Sequence, residues 1–599
     1  MQAIILAAGM GKRLKDYTKN NTKCMVEVCG QTLIERALRD LDSRGLSRIV
    51  LVIGYKGKEL RDFVDALQIK TPVSYVNNPI YDRTNNIYSL YLAKDYLVSE
   101  DTLLLESDII FEPSVLDELI QDPRDSLVLV DHYESWMDGT CLKLREDDSI
   151  EAFIPGKKLQ FQERGQYFKT VNLYKFSKLF SSRRYVPFLE AYSKALGNNE
   201  YYEQVLKVLA VLEDAGIYAK RLSGQKWYEI DDAQDLAIAS TLFAKGPEKL
   251  RRIQASYGGY WRYPSLKDFC YLVNPFFPSL HMKEEMKASY DALLGAYPSG
   301  MAINSFLAAR MVGLPEEMVV VGNGAAELIK ACMEMVDGRI GIIRPSFEEY
   351  GHRVSKERLV VYSPQEPDYS YAVSDIKAFF REKDIQNLVV INPDNPSGNY
   401  MNASSVMELF EFTKEKGITL IYDESFSDFA CEEERSMLRE ELLSRYPNVF
   451  VVKSFSKSYG IPGLRLGIAA SADRRLVDIL KKEVAIWNIN SFAEHFMQIF
   501  GKYEKDYAIS TRLVAGEREW LSEELGSIPG IRVIPSQANY IMVRLEGITA
   551  PCLAERLLEE YDILIKDLSA KTGGPYVRIA IRGREDNQAL VRALAEIMK

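Results

Sequence analysis

Short apolar runs separated by glycine turns and amphipathic stretches recur in the first 110 residues. Residues 2–8 read QAIILAA, a pattern typical of a fully buried strand, and a glycine-containing loop follows. An amphipathic stretch at 32–45 and a second apolar run at 49–53 come next. This order predicts a strand, a loop, a helix and a second strand, as in an α/β sheet.

A further apolar run at 102–105 leads into Glu106, Ser107 and Asp108. It places an acidic side chain at the carboxyl end of a predicted strand, the edge at which open α/β sheets bind ligands. We therefore expect chemistry at this edge.

The pattern changes near residues 234–261. Residues 234–255 predict a helix broken at Gly246 and Pro247, and the sequence YGGYW at 257–261 ends it. Strands and helices then alternate again, and no internal repeat relates the two halves. We predict a first domain at 1–245, a linker at 246–263 and a second domain at 264–599. The strands predicted in the second domain lie at 319–323, 340–345, 388–393, 419–424 and 449–456.

The composition fits a multidomain globular protein. The chain has 599 residues, of which 47% are hydrophobic and 27% charged, which excludes a disordered chain, a collagen and a coiled-coil rod. The formal net charge of −10 favours neither a nucleic-acid partner nor an anionic membrane surface. No apolar run approaches the roughly 18 residues of a membrane span, so we expect no membrane insertion.

The cysteines and histidines indicate neither a zinc site nor a disulfide framework. Seven cysteines are scattered without a CxxC pair, and there are only four histidines. The apolar run at 3–8 is too short for a signal peptide. We therefore expect a cytoplasmic protein.

The sequence LAAGMGKRL at 6–14 places two glycines and two cations after the first strand. Backbone N–H groups of such a loop can surround phosphates, while Lys12 and Arg13 balance their charge. The loop alone would equally fit a glycine turn with solvated basic side chains.

Three later segments strengthen the phosphate interpretation: TKCMV with Lys23, ESD with Asp108, and WYEIDD with Asp231. Together with the loop they resemble the signature of MobA-like nucleotidyltransferases and nucleotide-sugar pyrophosphorylases. The run at 77–90, from NNP to TNNIYSL, is similar to the small cytidylyltransferases that activate phosphocholine-type or phosphonate substrates. The resemblance covers residues 1–245 and implies a Rossmann-like α/β domain that uses CTP and Mg²⁺. The nucleotide-binding residues that it implies are Leu6, Ala8, Gly9, Gly11, Lys12, Arg13, Lys23 and Asn86.

Nucleotidyl transfer brings two anions together, so cations decide its rate. The resemblance assigns Lys23 to the charge on the α-phosphate, and Asp108 and Asp231 to one Mg²⁺. Glu229 and Asp232 are adjacent alternatives. Each acid by itself would also fit a capping carboxylate.

The segment VDHYESWMD at 130–138 combines aromatic faces with carboxylates. This combination can hold an ammonium group, and we expect Tyr133 and Trp136 to bind the acceptor substrate. Aromatic packing at a loop edge is an equal alternative.

The second domain contains SFSKSYG at 454–460 and GLRLG at 463–467. The string resembles the Schiff-base lysine motif of fold-type I pyridoxal phosphate enzymes of aminotransferase class I and II. The likeness is to the branch with histidinol-phosphate aminotransferase and threonine-phosphate decarboxylase, and it covers 264–599. It implies a large α/β domain with a smaller α+β domain, and pyridoxal phosphate held covalently on Lys457. Ser454 and Arg465 would hold the cofactor phosphate, and Ser456 would be a further cofactor-binding residue.

The same resemblance assigns the rest of this site. Asp423 would hold the pyridine nitrogen protonated, Asn395 would bind the ring O3′, and Arg578 would bind the carboxylate of the amino donor. Tyr297 would reach the cofactor of a neighbouring subunit, which implies a homodimer, although turn packing fits it equally. Phe347 would stack on the ring, with core packing as its alternative. The phosphate would be capped by the residues Gly324, Ala325 and Ala326.

One position departs from the aminotransferase pattern. Three residues after Asp423, where this branch usually has a tyrosine, the sequence has Phe426. This weakens the aminotransferase assignment and leaves decarboxylation of an amino-acid phosphate open. Arg582 and Arg584 would hold a second substrate anion or be solvated.

The two halves together resemble bifunctional phosphonate cytidylyltransferase and 2-aminoethylphosphonate aminotransferase proteins. That likeness implies amination of phosphonoacetaldehyde by an amino donor and transfer of CMP from CTP to 2-aminoethylphosphonate. An amino-acid-phosphate decarboxylase fused to an amino-alcohol-phosphate cytidylyltransferase is the alternative enzyme. In a third interpretation, one domain has lost catalysis and serves as a nucleotide-sensing or dimerising module.

Overall fold

The computed structural model describes residues 1–212 and 215–599. The chain divides into two compact units, Met1–Pro264 and Ser265–Lys599.

The first unit is built on one mixed sheet. Its centre is the strand Gln2–Ala7, which pairs in parallel with Ile49–Ile53 and with Thr102–Glu106. Gln2–Ala7 and Ile49–Ile53 are buried along their whole length because helices cover both faces of the sheet. In the described residues the sheet has nine strands, of which the other six are Val73–Asn77, Leu127–His132, Thr140–Leu144, Ile150–Pro155, Tyr167–Phe176 and Tyr218–Arg221.

Helices of the first unit alternate with these strands, as the apolar periodicity predicts. Leu33–Asp42 begins at Thr32, whose side chain accepts a hydrogen bond from the Glu35 backbone N–H. Its apolar face packs on the sheet. The other α-helices are Gly57–Ala66, Asn86–Leu92, Lys94–Leu97, Ser114–Gln121, Lys178–Phe180, Val186–Leu196, Glu203–Leu209, Ala233–Leu242 and Gly246–Ala255.

The segment predicted as a linker, 246–263, is structured. It forms the helix Gly246–Ala255 and the 3₁₀ turn Tyr260–Arg262, and both lie within the first unit. Ile253 on the helix is buried. A glycine and a proline at the start of a helix look like a break in the sequence, but Pro at a first-turn position is compatible with helix formation.

The second unit has a seven-stranded sheet in its described residues. Its strands are parallel except Leu466–Ala470, which lies antiparallel between Val319–Asn323 and Val449–Ser454. The strands in spatial order are Val319–Asn323, Leu466–Ala470, Val449–Ser454, Thr419–Asp423, Asn387–Ile391, Ile340–Ile343 and Leu359–Tyr362.

A smaller four-stranded sheet completes the second unit, with the order Ile531–Ile534, Tyr540–Leu545, Tyr576–Ala580 and Lys566–Asp567. Of the described helices, none has both the length and the apolar character needed to cross a bilayer. The helices of this unit are Leu280–Ala288, Tyr290–Leu294, Met301–Val312, Ala325–Met335, Glu349–His352, Val373–Phe380, Ala403–Glu415, Glu440–Arg445, Phe455–Ser458, Arg474–Glu483, Ser491–Ile499, Glu504–Gly526, Ala550–Tyr561, Ser569–Thr572 and Arg584–Ile597.

Candidate active sites

A cavity of about 760 Å³ opens in the first unit at the carboxyl ends of Gln2–Ala7 and Thr102–Glu106. It lies where the strand pattern placed the chemistry. The residues assigned to the nucleotide from sequence all line it, namely Leu6, Ala8, Gly9, Gly11, Lys12, Arg13, Lys23 and Asn86.

The phosphate loop lies directly against Lys23. Gly11 has φ +59°, and a Cβ at Gly11 would lie 3.0 Å from the Cβ of Lys23. Thr18 fixes the turn by donating from Oγ1 to the Gly11 carbonyl at 3.0 Å. Glycine at this position therefore lets the loop bring its amides close to the lysine.

Lys23 bridges the two acids predicted with it. Its Nζ donates to Asp231 Oδ1 at 2.7 Å and forms an ion pair with Asp108. Burial alone would lower the pKa of Lys23, but the two carboxylates raise the pKa above its ordinary value. Burial likewise opposes ionisation of Asp231, yet Lys23 and Arg13 hold its pKa below the usual range.

Three carboxylates in this cavity fit a divalent cation. Oxygens of Asp108, Glu229 and Asp231 all lie within 4.8 Å of one another. Asp108 Oδ1 is buried and has no hydrogen-bond partner among the described residues, as a ligand oxygen would be. Asp232 lies outside this group because its side chain caps the helix Ala233–Leu242 through a capping box with Asp235.

Lys169 and Asn172 join this site and were missed from the sequence. Lys169 pairs with Glu229 Oε2 at 3.1 Å, and Asn172 donates to Glu229 Oε1 at 3.1 Å. The strand register shifts between Thr170 and Tyr174, and Asn172 has φ +60°. A bulge that re-aims a side chain is typical of strands at active sites. The available signal was the presence of several polar side chains, Lys169 and Asn172 among them, within a strand of mainly aromatic and apolar residues.

Asn86 is held from both ends of its amide. Its Nδ2 donates to Glu106 Oε1 at 2.9 Å, and its Oδ1 accepts from the Tyr202 backbone N–H at 3.0 Å. Glu106 and Glu203, the residue after Tyr202, both line the cavity. Neither glutamate had a role predicted from the sequence.

The aromatic residues predicted for the acceptor have packing roles. Trp136 stacks on Tyr228 with ring centroids 4.7 Å apart, and Tyr133 is buried against Tyr167 and Cys141. Neither belongs to the described residues that line the cavity, which instead takes in Asp138 from the same loop. The structure therefore favours the packing alternative for both rings.

In the second unit, the predicted cofactor residues gather at the carboxyl ends of the parallel strands. Asp423 ends Thr419–Asp423, and Lys457 follows Val449–Ser454 in the short helix Phe455–Ser458. Asn395 follows Asn387–Ile391. Burial, Arg465 and Arg578 lower the pKa of Lys457 to about 8, while Asp423 acts in the opposite direction.

Asp423 is fixed by two donors. Tyr350 donates its hydroxyl to Asp423 Oδ2 at 2.8 Å, and the Ser425 backbone N–H donates to Oδ1 at 2.9 Å. Burial raises the pKa of Asp423 despite these hydrogen bonds. Tyr350 was not anticipated, because nothing in its local sequence shows which carboxylate it meets.

Gly324 and Arg465 form a close-fitting cradle. Gly324 has φ +74°, and a Cβ there would lie 2.5 Å from Arg465 Nη2. Ala325 and Ala326 begin the helix Ala325–Met335 directly after it. Ser456 Oγ is buried without a hydrogen-bond partner in the described structure. A glycine cradle, a helix start, an arginine and an orphaned hydroxyl fit the phosphate end of pyridoxal phosphate.

Arg578 is the residue predicted to bind the carboxylate of the substrate. Arg578 donates to Asn395 Oδ1 at 2.6 Å and to the Cys270 carbonyl at 2.9 Å. Arg582 and Arg584 instead pair with Asp586 and Glu517, so their charges are already matched.

Phe347, Tyr297 and Phe426 lie in different settings. Phe347 is 41% exposed, with its ring edge-on to Tyr350, and Tyr297 is 80% exposed and packs on Trp487 at 4.6 Å. Phe426 is buried and packs edge-to-face on Tyr540 at 5.1 Å. The apolar ring at position 426 is therefore part of the packing between the two sheets of this unit.

Comparison with known proteins identifies the families of both domains. Residues 3–206 match the MobA-like NTP transferase domain family, and residues 302–594 match aminotransferase class I and II. The chain is 34% identical to CMP-5'-(3-aminopropyl)phosphonate synthase of Streptomyces rubellomurinus, over 100% of this chain and 95% of that protein.

Two further similarities concern the second unit. The chain is 33% identical to L-serine phosphate decarboxylase of Sulfurospirillum multivorans, over 56% of this chain and 90% of that protein. The solved structure of the histidinol-phosphate aminotransferase from Clostridium acetobutylicum matches with a TM-score of 0.50 and 27% identity, covering 56% of this chain and 99% of that one. The chain therefore belongs to one family with CMP-5'-(3-aminopropyl)phosphonate synthase, and consists of a MobA-like NTP transferase domain followed by a pyridoxal phosphate enzyme domain of aminotransferase class I and II.

Proposed function

We propose that the first unit transfers CMP from CTP to the phosphonate oxygen of an aminoalkyl phosphonate, with 2-aminoethylphosphonate as the first candidate. The observation that carries the proposal is Lys23, held charged between Asp108 and Asp231 beside the phosphate loop. The name of the Streptomyces relative, a CMP-aminoalkylphosphonate synthase, supports the choice of acceptor.

The residues of this cavity have separable roles. Amides of the loop around Gly9 and Gly11 would bind the triphosphate, and Lys23 would offset the charge that builds on the α-phosphate during attack. Asp108, Glu229 and Asp231 would hold Mg²⁺, which supplies a Lewis acid for the phosphate oxygens. Arg13, paired with Asp231 at 2.7 Å, is exposed and can turn toward the departing pyrophosphate.

In the second unit, three side chains would carry the reaction: the amine of Lys457, the carboxylate of Asp423 and the guanidinium of Arg578. Pyridoxal phosphate, when bound, withdraws electrons from the carbon next to an attached amine. Asp423 would lie at its ring nitrogen, oriented by Tyr350. The lowered pKa of Lys457 favours the neutral amine, so its Nζ can accept and return a proton at that carbon. Arg578 would bind a substrate carboxylate.

Two reactions are compatible with this second set of residues, and we propose α-decarboxylation of an amino acid that bears a phosphonate or phosphate group. The bond to the carboxylate breaks, CO₂ leaves, and the carbon takes up one proton. Phe426 supports this choice, because it presents an apolar ring at the position of the aminotransferase tyrosine. L-serine phosphate decarboxylase, at 33% identity, supports it as well.

Transamination of phosphonoacetaldehyde by an amino-acid donor is the second candidate. The similarity to the histidinol-phosphate aminotransferase structure favours it. The two reactions differ in their products, because one releases CO₂ and the other a 2-oxo acid.

We also propose that the second unit forms a homodimer. The rings of Tyr297 and Trp487 contact each other at a tilt while both side chains remain exposed, at 80% and 48%. Apolar side chains exposed in numbers on a few helices are typical of subunit interfaces. The other large exposed apolar residues of this region are Leu280, Tyr290, Leu294, Ile303, Phe306 and Ile486.

The proposal is tested by incubating the protein with CTP, Mg²⁺ and one of four acceptors: 2-aminoethylphosphonate, phosphoethanolamine, phosphocholine or 3-aminopropylphosphonate. Pyrophosphate release with a phosphonate acceptor is the expected result, and a preference for phosphate esters would contradict it. A parallel assay with phosphonate-bearing and phosphate-bearing amino acids measures CO₂ against 2-oxo acid, and assigns the second reaction. Sedimentation of the wild-type protein and of Trp487→Asp tests the dimer.

A further inference from the structure

Two further carboxylates line the nucleotide cavity besides those that would hold the metal. They are Glu106, at the end of the strand Thr102–Glu106, and Glu203, at the start of the helix Glu203–Leu209. Asn86 joins the two segments, since its amide binds both Glu106 and the Tyr202 backbone. The two glutamates are therefore held in a fixed relation to each other.

Glu203 is buried without a full set of hydrogen bonds. It is 8% exposed, and its Oε2 has no partner among the described residues. Its other oxygen accepts a long hydrogen bond of 3.5 Å from the Tyr174 hydroxyl, and the carboxylate also accepts one from its own backbone N–H. A buried acceptor without a donor is costly, so a ligand that donates N–H or O–H groups would satisfy it.

The charges of the cavity are unevenly matched. Lys23 and Arg13 pair with the metal-site carboxylates, and Lys169 pairs with Glu229. Within the described parts of the chain, Glu106 and Glu203 have no ion pair with a lysine, arginine or histidine. A bound cation would therefore meet two carboxyl groups that no basic side chain of the described structure already pairs with.

We propose that Glu203, supported by Glu106, binds the ammonium group of the acceptor and so makes the first unit specific for primary amines. The inference rests on the proposed transfer of CMP to an aminoalkyl phosphonate. Glu203 and Glu106 thus take the amine-binding role that was predicted for Tyr133 and Trp136. Neither aromatic residue is among the described residues that line the cavity. Burial raises the pKa of Glu203 to about 7, and an ammonium group beside it would favour the ionised form.

The chemistry also selects among acceptors. A primary ammonium supplies both a positive charge and N–H donors for Oε2, whereas a trimethylammonium supplies charge without donors. A hydroxyl in place of the amine supplies a donor without charge. Acceptors with a primary amine are therefore expected to react in preference to both analogues.

The test is Glu203→Gln, assayed for pyrophosphate release with 2-aminoethylphosphonate and with 2-hydroxyethylphosphonate. Gln has the same shape and removes only the charge, so the fold and the KM for CTP are expected to be unchanged. The KM for 2-aminoethylphosphonate should rise by about 30-fold or more, and the preference for amine over hydroxyl should be largely lost. Glu203→Asp, which keeps the charge, should retain part of that preference.

Glu200→Gln is the matched control, because Glu200 lines the exposed rim of the same cavity. Its preference for the amine should equal that of the wild type. If Glu203→Gln keeps the full preference while the wild type is active, the inference is overturned and the proposed function stands. If the wild type releases no pyrophosphate with any acceptor, the proposed function fails. Calorimetric binding of 2-aminoethylphosphonate to the wild type and to Glu203→Gln then decides the inference alone, and equal affinities would overturn it.

Discussion

Lys23 in the first unit and Lys457 in the second both lie deep beside the carboxyl ends of a sheet, but their charged neighbours have opposite signs. Asp108 and Asp231 face Lys23 and raise its pKa against the effect of burial. Burial and the nearby Arg465 and Arg578 lower the pKa of Lys457 to about 8.

The difference matches the chemistry that each unit would carry out. A lysine that stabilises phosphate charge must stay protonated, whereas a lysine that attacks a carbonyl and moves protons must be able to lose its proton. Similar positions in two α/β folds thus support different reactions because the surrounding charges differ.

Lys457→Ala should reduce the pyridoxal phosphate-dependent reaction by about 10³-fold or more, because it removes both the nucleophile and the proton carrier. CMP transfer should be unchanged. CO₂ or 2-oxo acid formation and pyrophosphate release are measured on the same preparation. Loss of both activities would contradict the independence of the two sites.

Lys23→Met should reduce CMP transfer by about 10² to 10³-fold, because no other cation lies between the two carboxylates in the described structure. The reaction of the second unit should keep its rate. Lys19→Ala is the control, since Lys19 is exposed and is not among the described residues that line the cavity. Equal losses in the two variants would show a general effect of charge instead.

Tyr350→Phe should reduce turnover in the second unit by about tenfold, because Asp423 loses a charge-assisted hydrogen bond at 2.8 Å. The loss should appear in kcat with little change in the KM of the amino substrate. Phe347→Leu serves as a control for packing beside Tyr350. A larger loss from Phe347→Leu would indicate that the ring contact, and not the hydrogen bond, is what matters.

The smallest effect that we expect is an upward shift in the pKa of Lys457 in the variant Arg578→Gln. Capture of pyridoxal phosphate by the cofactor-free protein needs the neutral amine, so its rate should rise with pH through a midpoint near 8 in the wild type. Removing the Arg578 charge favours the protonated amine, which moves the midpoint to higher pH. An unchanged midpoint would show that Arg578 does not contribute, and that burial and Arg465 lower the pKa of Lys457.

Residues that act through a local motif could be predicted from the sequence. The phosphate loop, Lys23, Asp108 and Asp231 lie in short strings, and the structure brings them into one cavity. Apolar runs also predicted five of the seven described strands of the large sheet in the second unit, but not Leu359–Tyr362, Leu466–Ala470 or the spatial order of the strands. Residues of a short motif lie close in space because they are close in the chain, so the motif can be recognised from a single sequence.

Residues that depend on distant packing could not be predicted. Asn172 reaches Glu229 only because the strand bulges, and Glu203 reaches the cavity only through a helix tied to Asn86. The aromatic and acidic residues around Trp136 predicted an ammonium site, but Trp136 stacks on Tyr228. Composition shows what a side chain is able to bind, and tertiary packing decides whether it faces the substrate.

Competitive labelling of both lysines tests the contrast between the two sites most directly. The cofactor-free protein is treated with a trace of an amine-reactive reagent across neutral and alkaline pH, and the labels on Lys23 and Lys457 are quantified by mass spectrometry. We predict a midpoint near 8 for Lys457 and a midpoint for Lys23 well above that of an ordinary lysine. Two coincident titration curves would contradict the account.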